Sequence, residues 1–354
     1  RATYSFQDEP RSTDGKIFPF VDILNGGKPY ASFGTELFSY GNTREVTTLT
    51  FSDDFTFSLG INNFTAGLQY EHDFTKNGFQ RFGTSFYVFN SWNDFVSGVR
   101  PKDFGITFSN SPGFAQAFPE FKYAQTSAYL QDEIVVNSQF KVTAGIRFDL
   151  PTYPEPLAEH PIIAGLDFGG KSFSSSTLPA TKLMVSPRLG FNYDITGDRT
   201  LVVRGGTGIF TGRVPFVWIV SQAGDAGMVQ TTQTYSGAAV PANVTGFSPD
   251  PAAYYPNPQP EAGTLVPGTF TIIDPDFKMP QTWKTSLALD AKLPFGIKGS
   301  LEGIYNKDIN TAFFVNEGLK DPKLNGVWNY PDQRMIYPNA NVDKYYNLHT
   351  GGVI

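Results

Sequence analysis

The stretch from 183 to 212, LMVSPRLGFNYDITGDRTLVVRGGTGIFTG, constrains the chain most. It reads as two long strands joined by a very short turn. On the first limb Leu183, Val185, Leu189, Phe191, Tyr193 and Ile195 share one face, with Pro187 between them. Ser186, Arg188, Gly190, Asn192 and Asp194 share the other. Side chains alternate with a period of two along a strand, so this pattern requires one apolar and one wet surface. Thr196-Gly197-Asp198-Arg199 supplies the turn, in residues that tolerate tight backbone geometry. The second limb sets Leu201, Val203, Thr207 and Ile209 against Arg204 and small glycines. A tilted strand of about 9–11 residues crosses the apolar layer of a membrane, and both limbs are that long.

The same alternation recurs in three more hairpins. Leu49, Phe51, Phe55, Phe57 and Leu59 share a face that Asp53 interrupts, and after a turn at Gly60 come Phe64, Ala66, Leu68 and Tyr70. Ala124, Thr126, Ala128, Leu130, Ile134 and Val136 form another face, interrupted by Asp132 at a position read as close to a membrane boundary. Past Asn137-Ser138 comes the cleanest strand, Phe140 to Leu150, with Lys141, Thr143, Gly145, Arg147 and Asp149 on its polar side. The last hairpin sets Trp283, Leu287, Leu289 and Leu293 against Lys284, Ser286, Asp290 and Lys292, turns at Pro294-Phe295-Gly296 and returns with Ile297, Leu301 and Tyr305 opposite Glu302 and Asn306.

Alternation alone fits a soluble sandwich as well as a membrane barrel. The connections separate the two. At one end the turns near Gly60, Asn137, Gly197 and Gly296 take a few residues. At the other the connections are long: 7 to about 40, 74–121, 151–181 and 213–280, read here as irregular loops. Outer-membrane barrels have this asymmetry, short periplasmic turns and long extracellular loops, and long structureless loops are uncommon in compact soluble domains. Charges at mid-strand on the polar face, Arg147, Arg188, Arg204 and Glu302, suit a wet or plugged lumen.

Composition agrees. Aromatic residues make up 15% of the 354 and charged residues only 17%, a balance that favours strands and turns over helices. No run of about 18 apolar residues encodes a membrane-crossing helix. The mean hydropathy of -0.23 is compatible with a barrel, half of whose strand residues are polar. A net charge of -6 gives no basic surface for nucleic acid. Without cysteine the chain has no disulfide, thiolate metal site or cysteine nucleophile. It opens on RATYSFQDEPR, read as the end of a strand, and stops at TGGVI, so we expect an internal fragment of a longer protein.

Three sets of residues carry a resemblance. SPRLGFNYDITGDRTLVVRGGTGIFTGRVPFVWI, the pair SAYLQDEIVV and FKVTAGIRFDLPTYP, and TWKTSLALDAKLPFGIKGSLEGIYNKDIN together resemble the barrel of TonB-dependent outer-membrane transporters. They are most similar to the Oar-like group of Bacteroidetes, relatives of the SusC-like importers. The resemblance runs from about residue 34 to about 316, and its motifs mark barrel structure rather than chemistry. It implies a barrel of about 22 strands closed by a plug domain, and a TonB box on that plug engaged by the energy-coupling complex. It also implies outer-membrane lipid around the barrel and a surface lipoprotein as a further partner. Plug, TonB box and final strand do not occur in residues 1–354, which would supply roughly eight strands, less than half of such a barrel.

Catalytic-looking strings have plainer readings. GGTGIFTG lacks the G-x-G-x-x-G spacing, a P-loop lysine and a following helix, so its glycines are read as barrel-strand residues where backbones or a plug pack closely. Asp103-Phe104-Gly105 has none of the companion kinase motifs and is read as a loop turn. His72, His160 and His349 are far apart and lack metal spacing. No catalytic residue, metal ligand or cofactor is assigned, and the chain is not read as an enzyme.

Candidate contacts to cargo or plug are Arg147, Arg188, Asn192, Arg204 and Glu302 on the polar face, and the aromatic residues Tyr87, Trp92, Phe216 and Trp218 at the barrel mouth. Aromatic faces suit sugar rings or peptide side chains; the plainer reading is an interfacial girdle or loop packing. The expectation is an all-β, antiparallel segment of a transmembrane barrel in the bacterial outer membrane, importing an oligosaccharide, peptide or other nutrient. The alternative is a secreted or surface β-rich protein that binds glycans or acts in adhesion.

Overall fold

A computed structural model describes residues 1–13, 15–324, 335–339, 343–347 and 352–353. The chain opens with β1 (Ala2–Asp8), followed by the short strands β2 (Phe20–Asn25) and β3 (Lys28–Phe33), then the long pair β4 (Thr43–Leu59) and β5 (Asn62–Gly78). The next connection carries β6 (Phe86–Phe89), α1 (Trp92–Val96) and β7 (Asp103–Ser109). Long strands resume with β8 (Glu120–Val135), β9 (Phe140–Thr152), β10 (Met184–Asp194) and β11 (Leu201–Thr211). After α2 (Phe216–Asp225), β12 (Gln230–Ser236) and β13 (Thr269–Phe270), β14 (Gln281–Lys292) and β15 (Lys298–Asn310) complete the large sheet.

That sheet has nine strands in the order β1-β4-β5-β8-β9-β10-β11-β14-β15. Every neighbouring pair is antiparallel, and β1 and β15 form its open edges. The all-β antiparallel expectation holds, and the RATYSFQ opening is indeed strand. In the central hairpin Leu189 faces Thr207, Tyr193 faces Val203 and Asn192 faces Arg204. Residues opposite each other lie on one face, so one row joins Lys141, Asn192, Arg204, Ala288 and Glu302 across five strands. An apolar row joins Val142, Phe191, Gly205 and Leu287. The turn at Gly197 has φ +79°, which glycine adopts without a Cβ clash.

The apolar face has no covering layer among the described residues. Leu68 is 64% exposed, Leu189 52%, Leu287 57% and Leu301 74%. A soluble sandwich would bury that row under a second sheet; an apolar surface this extensive is a contact face for lipid or protein. Asp53 and Asp132 lie on this face opposite Leu68 and Phe64.

The long connections depart from the expectation of irregular loops. Strands from three of them pair into a second, five-stranded sheet, β12-β7-β6-β2-β3. Asp103, Phe104 and Gly105, read as a turn, begin β7, and Phe104 is buried in the core of this sheet. The core gathers Val21, Ile23, Tyr87, Phe89, Ile106, Phe108, Val240 and Val244 around it. The tightly packed apolar interior thus belongs to the loop sheet, whereas the large sheet turns its apolar side chains outward. A second cluster, with Phe121, Tyr123, Met184, Val214, Ile219 and Val220, seats α2 on the loop-side ends of β8 and β10. Buried Gln222 pins α2 there: its Nε2 donates to the Ser175 and Thr177 carbonyls at 3.0 and 2.8 Å, and its Oε1 accepts from the Ile273 amide at 2.9 Å. Every polar atom of that side chain's amide head is engaged, as burial requires.

Candidate functional site

The polar face of the large sheet carries a linked set of hydrogen bonds and ion pairs across β4, β5, β8 and β9. Arg147 pairs with Asp149 at 2.8 Å and donates to Gln69 at 3.1 Å. Asp149 also accepts from Ser127 at 2.7 Å and Gln125 at 3.2 Å, and Gln125 accepts from the Tyr123 hydroxyl at 2.6 Å. Tyr129, whose ring lies 5.6 Å from the Arg147 guanidinium carbon, donates to Asp54. A methyl at Gly67 would meet the tip of the Tyr129 ring and the Asp54 carboxylate, so the pair sits directly over this glycine.

Towards the loops the set ends on Arg213, just beyond β11. It pairs with Glu71 and with buried Asp73, Nη1 to Oδ2 3.3 Å, and its guanidinium stands 5.3 and 5.5 Å from the rings of Tyr123 and Phe216. Above it, α2 and the loop-side ends of β1, β4 and β5 border a half-open cavity of ≈ 930 Å³. Its apolar wall includes Phe79, Val214, Phe216, Val217 and Val220; its polar lining includes Glu9, Arg11, Arg44, Asp73, Thr75, Arg213 and Asp225. The volume lies within the range of small-molecule sites. Arg44 pairs with Glu9 at 3.3 Å. Burial without a counter-charge pushes the Asp225 carboxyl up to about 6.

Of the residues singled out from sequence, Arg147 joins this network and Phe216 lines the cavity. Asn192, Arg204 and Glu302 share one row further along the polar face, where Arg204 pairs with Asp290 at 2.8 Å. Arg188 lies on that face too, its guanidinium 4.7 Å from the Phe210 ring. Tyr87 is fully buried in the loop-sheet core, where desolvation raises its pKa. Trp92 begins α1, half exposed and packed on Phe95. Trp218 packs edge-on against Phe277 and Phe314 beside a second cavity. Arg213, Asp73, Asp225 and the Arg44–Glu9 pair carried no sequence signal, because each acts through a partner distant in the chain. His160 is a buried structural residue. Its Nδ1 accepts from the Ile162 and Ile163 amides, both at 3.2 Å, and its Nε2 lies 3.1 Å from the Leu265 carbonyl. His72 faces Leu49 on the apolar side, and His349 lies outside the described residues. The chemistry offered by the polar face and cavity is recognition by charge and hydrogen bonding.

Solved structures similar to this chain include the outer membrane transporter YddB from Escherichia coli, at 13% identity and TM-score 0.47, covering 86% of this chain and 31% of that one. The siderophore receptor PirA from Acinetobacter baumannii matches at 14% identity and TM-score 0.39, covering 87% and 32%. A mutant of the ferric enterobactin receptor PfeA from Pseudomonas aeruginosa matches at 11% and 0.41, covering 95% and 35%. The chain thus spans about a third of the length of each. No curated protein matches the sequence. The family described as the outer membrane beta barrel domain matches residues 3–343, nearly the whole chain. With its long antiparallel strands, uncovered apolar face and polar inner wall, the chain belongs to this family and forms part of a β-barrel of the bacterial outer membrane.

Proposed function

We propose that the chain is a barrel segment of a TonB-dependent importer, of the Oar-like, SusC-related type, that carries a nutrient such as an oligosaccharide or peptide. In this reading the barrel has about 22 strands and a plug fills its lumen. The residues on the polar face, Arg147, Arg188, Asn192, Arg204 and Glu302, meet cargo or plug, and Phe216, Trp218 and Trp92 border the mouth. TonB engages the plug, and a surface lipoprotein assists at the loops. The observation that carries the reading is the cavity of ≈ 930 Å³ between the charged wall and α2, on the side of the sheet opposite the apolar face.

The test is capture of the full-length protein, in detergent, on the immobilised periplasmic domain of TonB. Retention that is lost when the TonB box is deleted supports coupling. No retention of a correctly folded barrel would remove the importer reading.

A further inference from the structure

Four of the six charged groups that line the cavity are already paired. Arg44 holds Glu9, and Arg213 holds Asp73. The other two are Arg11 and Asp225, and neither side chain has a hydrogen-bond or ion-pair partner among the described residues. A third lining group is unsatisfied as well: Thr75 is 2% exposed and its buried Oγ1 has no hydrogen-bond partner. Nearby, Gln230 spends its Nε2 on the Phe79 carbonyl at 2.9 Å and leaves Oε1 buried and unpartnered. Arg11 is exposed at the rim of the cleft and Asp225 is partly buried on α2. Buried polar groups are ordinarily paired, so Thr75 and Asp225 mark what an occupant must supply, and Arg11 stands solvated at the rim, free to meet its other end. Here that is a cation for Asp225, an anion for Arg11, a hydrogen-bonding group for Thr75 and an apolar body for Phe216, Val217 and Val220. A neutral glycan supplies neither charge.

We propose that the cavity binds a short peptide as a zwitterion, its ammonium end on Asp225 and its carboxylate end on Arg11. This rests on the importer reading and names its cargo class. The raised pKa of Asp225 agrees with a carboxyl awaiting its counter-ion. Arginine matches a carboxylate with two parallel donors. The backbone of a peptide offers the donors and acceptors that Thr75 lacks.

The test is binding to the full-length protein in detergent at pH 7.5, by calorimetry, with tetra-alanine as probe. Four forms are compared: free ends, N-acetylated, C-amidated and doubly blocked. Free tetra-alanine binds, and each block weakens it by about tenfold or more, the loss of one charge-assisted contact. In Asp225→Asn the free and acetylated peptides bind alike, while the amide still discriminates. In Arg11→Gln the free and amidated peptides bind alike. Equal binding of all four forms would overturn the proposal, as would no binding of any, or binding of maltotriose in place of peptide. Retention on TonB is read separately, so peptide indifference with intact retention removes the cargo class and leaves the importer.

Discussion

Arg213 reaches the buried carboxylate of Asp73 with Nη1 3.3 Å from Oδ2, although 140 residues separate them. Asp73 sits on β5 with its side chain 1% exposed, while Arg213 is 40% exposed and follows β11. The pair therefore ties the longest loop to the wall of the sheet at the floor of the cavity.

Replacing Arg213 leaves that carboxylate buried without its counter-charge. Breaking a fully buried pair costs about 3–5 kcal/mol, and the half-open guanidinium reduces this to roughly 1–3. Arg213→Gln should lower the temperature at which the folded barrel loses its distinct migration on SDS gels. Adding Asp73→Asn should recover part of the loss. Strict additivity of the two changes would show that the pair does not couple them.

Gly67 lies under the ring tip of Tyr129, which a methyl there would push aside. Gly67→Ala shifts the tip of the partly exposed tyrosine and its contact with Asp54, which costs less than the ~1–3 kcal/mol of overpacking a closed core. Gly67→Ala combined with Tyr129→Ala should be destabilised by less than the sum of the two single changes, because removing the ring removes the contact. A double variant worse than the sum of its parts would place the clash elsewhere.

The Asp225 carboxyl is raised by burial from its usual 3.8 to about 6. Between those values the folded state binds more protons than the unfolded one, so stability falls as pH rises through this window. The penalty is fully present above about pH 6 and is on the order of 2–3 kcal/mol locally. Protease resistance of the α2 loop should therefore be greater at pH 5 than at pH 7.5, and Asp225→Asn should flatten the difference and protect the loop at pH 7.5. A loop more labile at pH 5 in both proteins would contradict this sign.

The large sheet was legible because its strands alternate with few interruptions, such as Asp53 and Asp132, and their turns are short. Phe140 to Leu150 shows the first feature and the turn at Gly197 the second, each within a short stretch of sequence. The loop sheet was hidden for physical reasons. β6 spans only Phe86–Phe89, and β7 is buried almost throughout, so no period of two stands out. Its partners also come from other connections: Tyr87 pairs beside Val21, and Thr107 beside Thr232. The polar face with Arg147, Arg188, Asn192 and Arg204 followed from alternation. The cavity did not, because Arg11, Thr75, Arg213 and Asp225 meet only once the loops have folded over the wall.

The central claim is that the sheet face carrying Leu189 and Val203 meets lipid, and the face carrying Arg188, Asn192 and Arg204 meets the lumen. Leu189→Arg near mid-membrane should cost about 2–4 kcal/mol, and Asn192→Arg much less, because water or plug can solvate it. Assembly in the outer membrane should fail for the first and proceed for the second. The most direct measurement is labelling of single cysteines at the four positions of the central hairpin, in a chain segment that has no cysteine of its own. A hydrophilic maleimide should modify Arg188→Cys and Asn192→Cys in folded full-length protein in membranes. It should leave Leu189→Cys and Val203→Cys protected. Modification of positions 189 and 203 with protection of 188 and 192 would invert the faces and contradict the barrel assignment.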